Sequence, residues 1–216
     1  MSRQRYRIRF CKQGDLRWIS HRDLLRTLER LFRRADFKLA MTEGFHPRPR
    51  MSFASALALG VAALDEVMEL ELAEAIDATE VLQRLQQHTV AGLEFTAVEA
   101  LAANSTKGRV VSVTYEYPVP EQRRAEIAGA IQRLLGEETH WVARPGRKQP
   151  VEVRRSITRL ELTGDRLLMH LTVTPETPAR PRELLAAIGL GGPQDDGEQD
   201  FVLTRTAVEL ANTEKS

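Results

Sequence analysis

The chain has 216 residues, 42% apolar and 28% charged, which supports a packed core and excludes wholesale disorder. No apolar run approaches the roughly 20 residues that cross a bilayer, and the opening residues show no apolar signal region, so the expected location is the cytoplasm. The net charge of +1 conceals a segregation: residues 1–50 hold 14 basic and 5 acidic side chains, residues 51–105 hold 1 and 9, and residues 106–216 hold 16 and 16.

Tyr6, Ile8 and Phe10 alternate with Arg5, Arg7 and Arg9, the period of a half-buried strand over 5–12. Gly14-Asp15 turns the chain. Ser20 then reads as a helix N-cap, with Asp23 three positions on. Leu24, Leu25, Leu28, Leu31 and Phe32 recur at helical spacing from His21 to Ala35, and Arg22, Arg26, Arg30, Arg33 and Arg34 occupy the opposite face. A short segment, Phe37 to Met41, leads into the loop Glu43-Gly44-Phe45-His46-Pro47-Arg48-Pro49-Arg50, where two prolines and a glycine forbid a helix. Strands are expected over Met51–Leu59 and Val67–Ala73 around a turn at Gly60–Asp65. A helix from Asp77 to Gly92 and a strand from Leu93 to Ala100 follow.

Residues 101–108 read as a linker, after which the order recurs. A strand at Val110–Tyr117 and a helix at Glu121–Leu135 precede a short strand at His140–Ala143. A hairpin pairs Val151–Leu162 with Arg166–Thr174. A helix at Arg182–Ile188, a mobile loop at 189–200 and a strand at Phe201–Leu210 complete the repeat. The expected fold is α+β: two tandem ferredoxin-like βαββαβ domains, at 1–102 and 108–216.

The basic residues suit phosphate. Arginine at 22, 26, 30 and 33 forms one helical stripe, and its planar fork can donate two hydrogen bonds to one phosphate. Arg7 and Arg9 on the strand and Arg48 and Arg50 on the loop would extend that surface. Its local carboxylates are few, Asp23 and Glu29. The alternative is that the basic segment pairs with the acidic one inside the fold. His21, in the first turn after Ser20, could donate a hydrogen bond or act as a base. Gly44 and Pro47 set the loop that presents His46. Phe45 could stack on a base, but a core plug is the preferred reading. Arg144, Arg147 and Lys148, followed by Arg154-Arg155, form a second basic cluster, either an extension of the surface or a solvated hairpin. The five histidines lack ligand spacing, so no metal site is expected. The lone Cys11 reads as a small buried residue, and no iron–sulfur cluster can be built from one cysteine.

Tyr6-Arg7-Ile8-Arg9-Phe10, Gly14-Asp15-Leu16-Arg17, Ser20-His21-Arg22-Asp23-Leu24, Glu29-Arg30, Arg33-Arg34-Ala35, and Glu43 to Pro49 through Ser52-Phe53-Ala54 and Leu59-Gly60 resemble the bacterial radical-SAM-linked protein family. That is a domain of unknown function encoded beside, or fused behind, a B12-binding-type radical SAM protein. The motifs cover residues 5–73. The family usually has an apolar residue after the histidine, where this chain has Arg22. The resemblance implies a radical SAM protein as partner, which would hold the iron–sulfur cluster and S-adenosylmethionine, with no cofactor on this chain. Members often lie near genes for ribonuclease E/G and ribosomal proteins, which points by association to RNA. The tandem layout also looks like that of RNA-processing CRISPR endoribonucleases.

Three functions are therefore in view. The first is an accessory RNA-binding protein, for tRNA or rRNA, acting with a radical SAM enzyme in RNA modification or processing. The second is a metal-independent endoribonuclease using His21 or His46 on a 2′-hydroxyl. The third is a protein-interaction module that docks the radical SAM partner. The RNA reading requires the strand, helix and loop cations to converge as one uncompensated patch.

Overall fold

A computed structural model describes residues 3–174, 179–191 and 201–211. The chain is mixed α+β, with four α-helices among the described residues. It forms two compact units, with cuts between Val110 and Val111 and between Glu209 and Leu210.

The first unit contains β1 (Gln4–Lys12), α1 (His21–Arg34), β2 (Met51–Phe53), β3 (Ala62–Leu72), α2 (Ala78–Gln87) and β4 (Leu93–Leu101). Its strands lie in the order β4-β1-β3-β2, every neighbouring pair antiparallel. The alternation in β1 decides which face is covered. Tyr6, Ile8 and Phe10 are fully buried against Leu24, Leu28, Leu31 and Phe32 of α1 and Val81 and Leu85 of α2. Arg5, Arg7 and Arg9 therefore leave the sheet on the face away from both helices.

The helix limits follow from local chemistry. Ser20 Oγ accepts the Asp23 amide at 3.2 Å and donates to the Asp23 carboxylate at 2.6 Å, so one side chain closes the first turn of α1. At the other end Asp36 adopts φ +56°. The Asp36 amide donates to Arg33 O at 3.2 Å and the Phe37 amide to Phe32 O at 3.1 Å. This is the left-handed helix stop usually built with glycine, and the contact of Phe37 with Phe32 seals it. In α2 the Asp77 carboxylate accepts the Thr79 amide at 2.8 Å. The Tyr6 hydroxyl donates to Ile76 O at 2.6 Å and accepts from Ile76 N at 2.7 Å, pinning the segment before α2 to β1. Gly92, at φ +81°, is needed where it stands, because a Cβ there would meet Gln13 O at 2.5 Å.

The second unit contains β5 (Val110–Pro118), α3 (Arg124–Gly136), β6 (Trp141–Val142), β7 (Val151–Glu152), β8 (Ile157–Thr163), β9 (Arg166–Thr172), α4 (Pro181–Ala187) and β10 (Thr204–Leu210). The strand order is β10-β5-β9-β8, and β6 and β7 form a separate antiparallel hairpin. In each unit, then, the last strand flanks the first, and the penultimate strand lies on the first strand's other side.

Several expected elements differ. The strand expected over Met51–Leu59 stops at Phe53, and β3 starts at Ala62, inside the expected Gly60–Asp65 turn. The Ala54 amide still reaches Val67 O of β3 at 3.2 Å, but the Gly60 amide donates to Arg17 O at 2.8 Å, which draws the following residues toward the segment before α1. The strand expected over Val151–Leu162 is interrupted by a 3-10 turn at Arg154–Ser156. Glu152 causes the break: its carboxylate accepts the amides of Arg154 at 2.6 Å and Arg155 at 3.3 Å, turning the backbone out of extended form. Of the expected mobile loop at 189–200, residues 192–200 lie outside the described residues.

Candidate anion-binding surface

The expected cationic patch divides into sets with different fates. On β1 the arginines meet carboxylates. Arg5 lies 2.8 Å from Glu69, Arg7 3.3 Å from Glu69 and 3.4 Å from Glu99, and Arg9 2.5 Å from Asp65. Strand register explains the pairing. Arg7 sits opposite Glu69 on β3 and Glu99 on β4, so two acidic neighbours flank it across the sheet. The side chains of Arg7 and Glu69 are each only 11% exposed. The Gly108 amide also donates to Glu69 at 2.9 Å, and Ser105 O accepts from Arg5 at 2.7 Å. Residues 102–109 are thus fastened onto this face. Burial pushes the Glu69 carboxyl up, but the Gly108 amide and the Arg5 and Arg7 guanidinium groups outweigh it and hold the carboxyl below its ordinary range.

Arg7 and Arg9, expected to bind phosphate, have their charge matched by acids of β3 and β4. Arg50 goes the same way, donating to Met41 O at 3.1 Å and lying 3.7 Å from Glu71. The expectation of one convergent surface fails too, since the β1 arginines lie on the opposite face of the sheet from α1.

The α1 set is different. Arg22, Arg26, Arg30, Arg33 and Arg34 are all exposed. Asp23 engages Arg26 at 3.3 Å and Glu29 engages Arg33 at 2.6 Å, while Arg34 donates to His88 O at 3.2 Å. Both ion pairs are solvent-exposed, a class worth little. Arg22 and Arg30 make no side-chain hydrogen bond or ion pair among the described residues, and each of the helix's two carboxylates is engaged by another arginine.

The loop after Met41 is closed at its base. The Thr42 amide donates to Arg48 O at 2.8 Å, and the Arg48 amide donates to Thr42 Oγ1 at 3.0 Å. Met41 and Pro49 form an antiparallel bridge across it. Gly44, at φ +116°, takes a conformation that side chains rarely adopt. Pro47 stiffens the same tip. Phe45, His46 and Arg48 stand out from it exposed. Phe45 is fully exposed, which corrects its reading as a core plug: the bridge and paired amides hold the loop with no apolar anchor. His46 and Arg48 make no side-chain hydrogen bond or ion pair among the described residues.

His21 is exposed at the start of α1 and its ring meets the edge of Phe53, with centroids 4.9 Å apart. Among the described residues it makes no side-chain hydrogen bond, and no hydrogen bond or ring contact joins it to His46. Among the described residues no three His, Cys, Asp or Glu side chains are grouped to hold a metal, and no helix is long and apolar enough to cross a membrane. Cys11 is buried, its Sγ donating to Leu64 O at 3.0 Å. Burial pushes its thiol up, and Glu94 and Asp65 add to the rise, so it is a poor nucleophile.

Sequence reasoning missed the two tryptophans. Trp18 is 53% exposed, with Arg17 stacked 5.1 Å from its ring, and Trp141 is 61% exposed. The available signal was their neighbours: each stands within six residues of unsegregated basic side chains rather than in an apolar run.

The described geometry defines a mixed α+β protein with an arginine-rich helix face and a stiffened basic loop. The chain belongs to the family described as an uncharacterized protein conserved in bacteria (DUF2344), whose model matches residues 5–181. No curated protein matches it. Among solved structures, the crystal structure of an unknown protein from Galdieria sulphuraria is similar over 87% of this chain and 88% of its own, at 9% identity and a TM-score of 0.32. A likeness that slight carries no argument about fold or function.

Proposed function

We propose that the chain is a pair of ferredoxin-like units serving as an accessory RNA-binding protein, for tRNA or rRNA, beside a radical SAM enzyme in the cytoplasm. Without the single convergent patch, the reading narrows to the outer face of α1. The observation that carries it is that Arg22 and Arg30 make no ion pair among the described residues, while their stripe neighbours Arg26 and Arg33 hold only exposed ion pairs that exchange readily for phosphate. Arg48 on the closed loop is a further cation whose side chain has no hydrogen bond or ion pair among the described residues. Guanidinium groups spaced by helical turns follow a phosphate backbone, and such contacts give affinity with little sequence preference. The ferredoxin-like assignment is supported by the strand order shared by the two units. The radical SAM partner is supported by the motif resemblance across residues 5–73. With one cysteine in the chain, the partner would carry the cluster and S-adenosylmethionine.

The test is fluorescence anisotropy of labelled tRNA and rRNA fragments across a salt series. Binding weakens steeply with salt, and the Arg22→Glu/Arg30→Glu variant lowers the log–log salt slope by about 2, one per lost phosphate contact. Arg9→Ala leaves affinity unchanged, because Arg9 is spent on Asp65. Salt-insensitive binding, or an unaltered slope in the double variant, refutes the proposal.

A further inference from the structure

Residues 141–150, which form most of the β6–β7 hairpin, read Trp-Val-Ala-Arg-Pro-Gly-Arg-Lys-Gln-Pro, with three basic side chains and no acid. Arg144 is buried and clamped by both carboxylate oxygens of Glu183, at 2.6 and 2.8 Å. That bidentate pair ties the hairpin to the start of α4. The Arg147 amide donates to Arg144 O at 3.1 Å across a turn completed by Gly146 at φ +79°. Pro145 fixes the first central position of that turn, and Pro150 restricts the backbone after it.

What this scaffold presents is an exposed indole beside two cations. Arg147 and Lys148 are exposed and make no side-chain hydrogen bond or ion pair among the described residues. With Trp141, Gln149, Pro150 and Val151 they line an open cavity of about 620 Å³. One carboxylate also borders it, that of Glu152. Its oxygens accept the backbone amides of His140, Arg154 and Arg155, which stabilise the carboxylate and occupy its acceptors without removing its charge. Tryptophan carries more apolar surface than almost any side chain, and leaving it in water is unfavourable unless something covers it.

We propose that the β6–β7 hairpin is a second RNA contact, in which Trp141 stacks on an unpaired base while Arg147 and Lys148 hold the adjoining phosphates. The proposal rests on the RNA reading above and narrows it, because stacking requires a base out of a duplex: the ligand is a single-stranded segment or loop. An acidic polypeptide is the rival occupant, and it would use the cations without the ring.

Only two tryptophans occur in the chain, so Trp18→Phe leaves Trp141 as the sole indole reporter. That variant is titrated with a 12-nucleotide single-stranded RNA, the same strand annealed to its complement, and polyglutamate, while anisotropy is read in parallel on labelled RNA. Single-stranded RNA quenches Trp141 emission, and duplex and polyglutamate do not. Trp141→Ala weakens single-strand affinity about tenfold and leaves duplex affinity unchanged. Arg147→Ala/Lys148→Ala, which leaves the indole and the Arg144 clamp in place, weakens single-strand binding and lowers its salt slope. A rise in anisotropy without quenching, or wild-type affinity in Trp141→Ala, overturns the hairpin site and leaves α1 as the RNA surface. An equal response to polyglutamate overturns it in favour of an acidic protein partner. Flat anisotropy with every RNA refutes the RNA reading itself.

Discussion

Glu69→Ala tests whether the β1 arginines belong to the fold or to a ligand. The wild-type carboxylate lies 2.8 Å from Arg5, 3.3 Å from Arg7 and 2.9 Å from the Gly108 amide. Its loss strands Arg7 with Glu99 alone, at 3.4 Å, and the Glu99 side chain is largely exposed. Removing one partner of a buried ion pair costs about 3–5 kcal/mol. Arg5 keeps Ser105 O and reaches water more easily than Arg7, and Arg7 keeps Glu99, so the expected loss is near the lower end, about 3 kcal/mol. Arg7→Met/Glu69→Leu removes both charges and recovers about 2 kcal/mol of it, since an apolar pair can replace a buried ion pair at little cost. Recovery is favoured here because Arg7 Nε is buried with no hydrogen-bond partner, so the native pair is imperfectly satisfied. The assay is urea unfolding followed by far-UV circular dichroism, with Trp18 emission in a Trp141→Phe background marking the first unit. A Glu69→Ala loss below about 1 kcal/mol, or a double variant no more stable than the single one, would refute the reasoning.

The carboxyls of Glu69 and Glu183 make stability fall in acid. Burial raises each, but the Gly108 amide with Arg5 and Arg7 in one case, and Arg144 with the Arg180 amide in the other, bring both below their ordinary values. A depressed folded-state pKa stabilises the protein fully above the unfolded value of about 4.3, and the contribution disappears as pH falls through the folded value. Urea midpoints should therefore hold between pH 7 and 5 and drop between pH 4 and 3; a midpoint unchanged to pH 3 contradicts the assignment. Tyr6→Phe removes the hydroxyl that serves both backbone groups of Ile76, and should cost about 1–3 kcal/mol, read as a lowered midpoint of the first unit.

Much of the fold was legible because its signals are local. The alternation of Tyr6, Ile8 and Phe10 marks β1, and Ser20 with Asp23 marks the start of α1. The break at Arg154 was not legible, since Glu152 turns the chain by capturing amides two and three residues ahead within an otherwise strand-like run. Nor was the short length of β2, which depends on Gly60 bonding to Arg17, a partner far away in sequence. The candidate site was half legible. The α1 stripe could be read directly, whereas the loop's apolar residue misled: Phe45 looks like a core side chain, yet the Met41–Pro49 bridge leaves it nothing to pack against.

Charge on a helix and charge on a strand are not equally readable, and that difference shifts where function should be sought. Helical neighbours are three or four residues away, so Asp23 with Arg26 and Glu29 with Arg33 can be counted from the sequence, and what they do not engage is surplus. Strand neighbours sit on another strand. The partners of Arg7 lie 62 and 92 positions away, and only the register β1 takes against β3 and β4 reveals them. The cations with the strongest claim on a ligand are accordingly those whose local acids are all accounted for. These are Arg22 and Arg30 on α1 and Arg147 and Lys148 on the hairpin, and they are not the arginines whose alternation on β1 first drew attention.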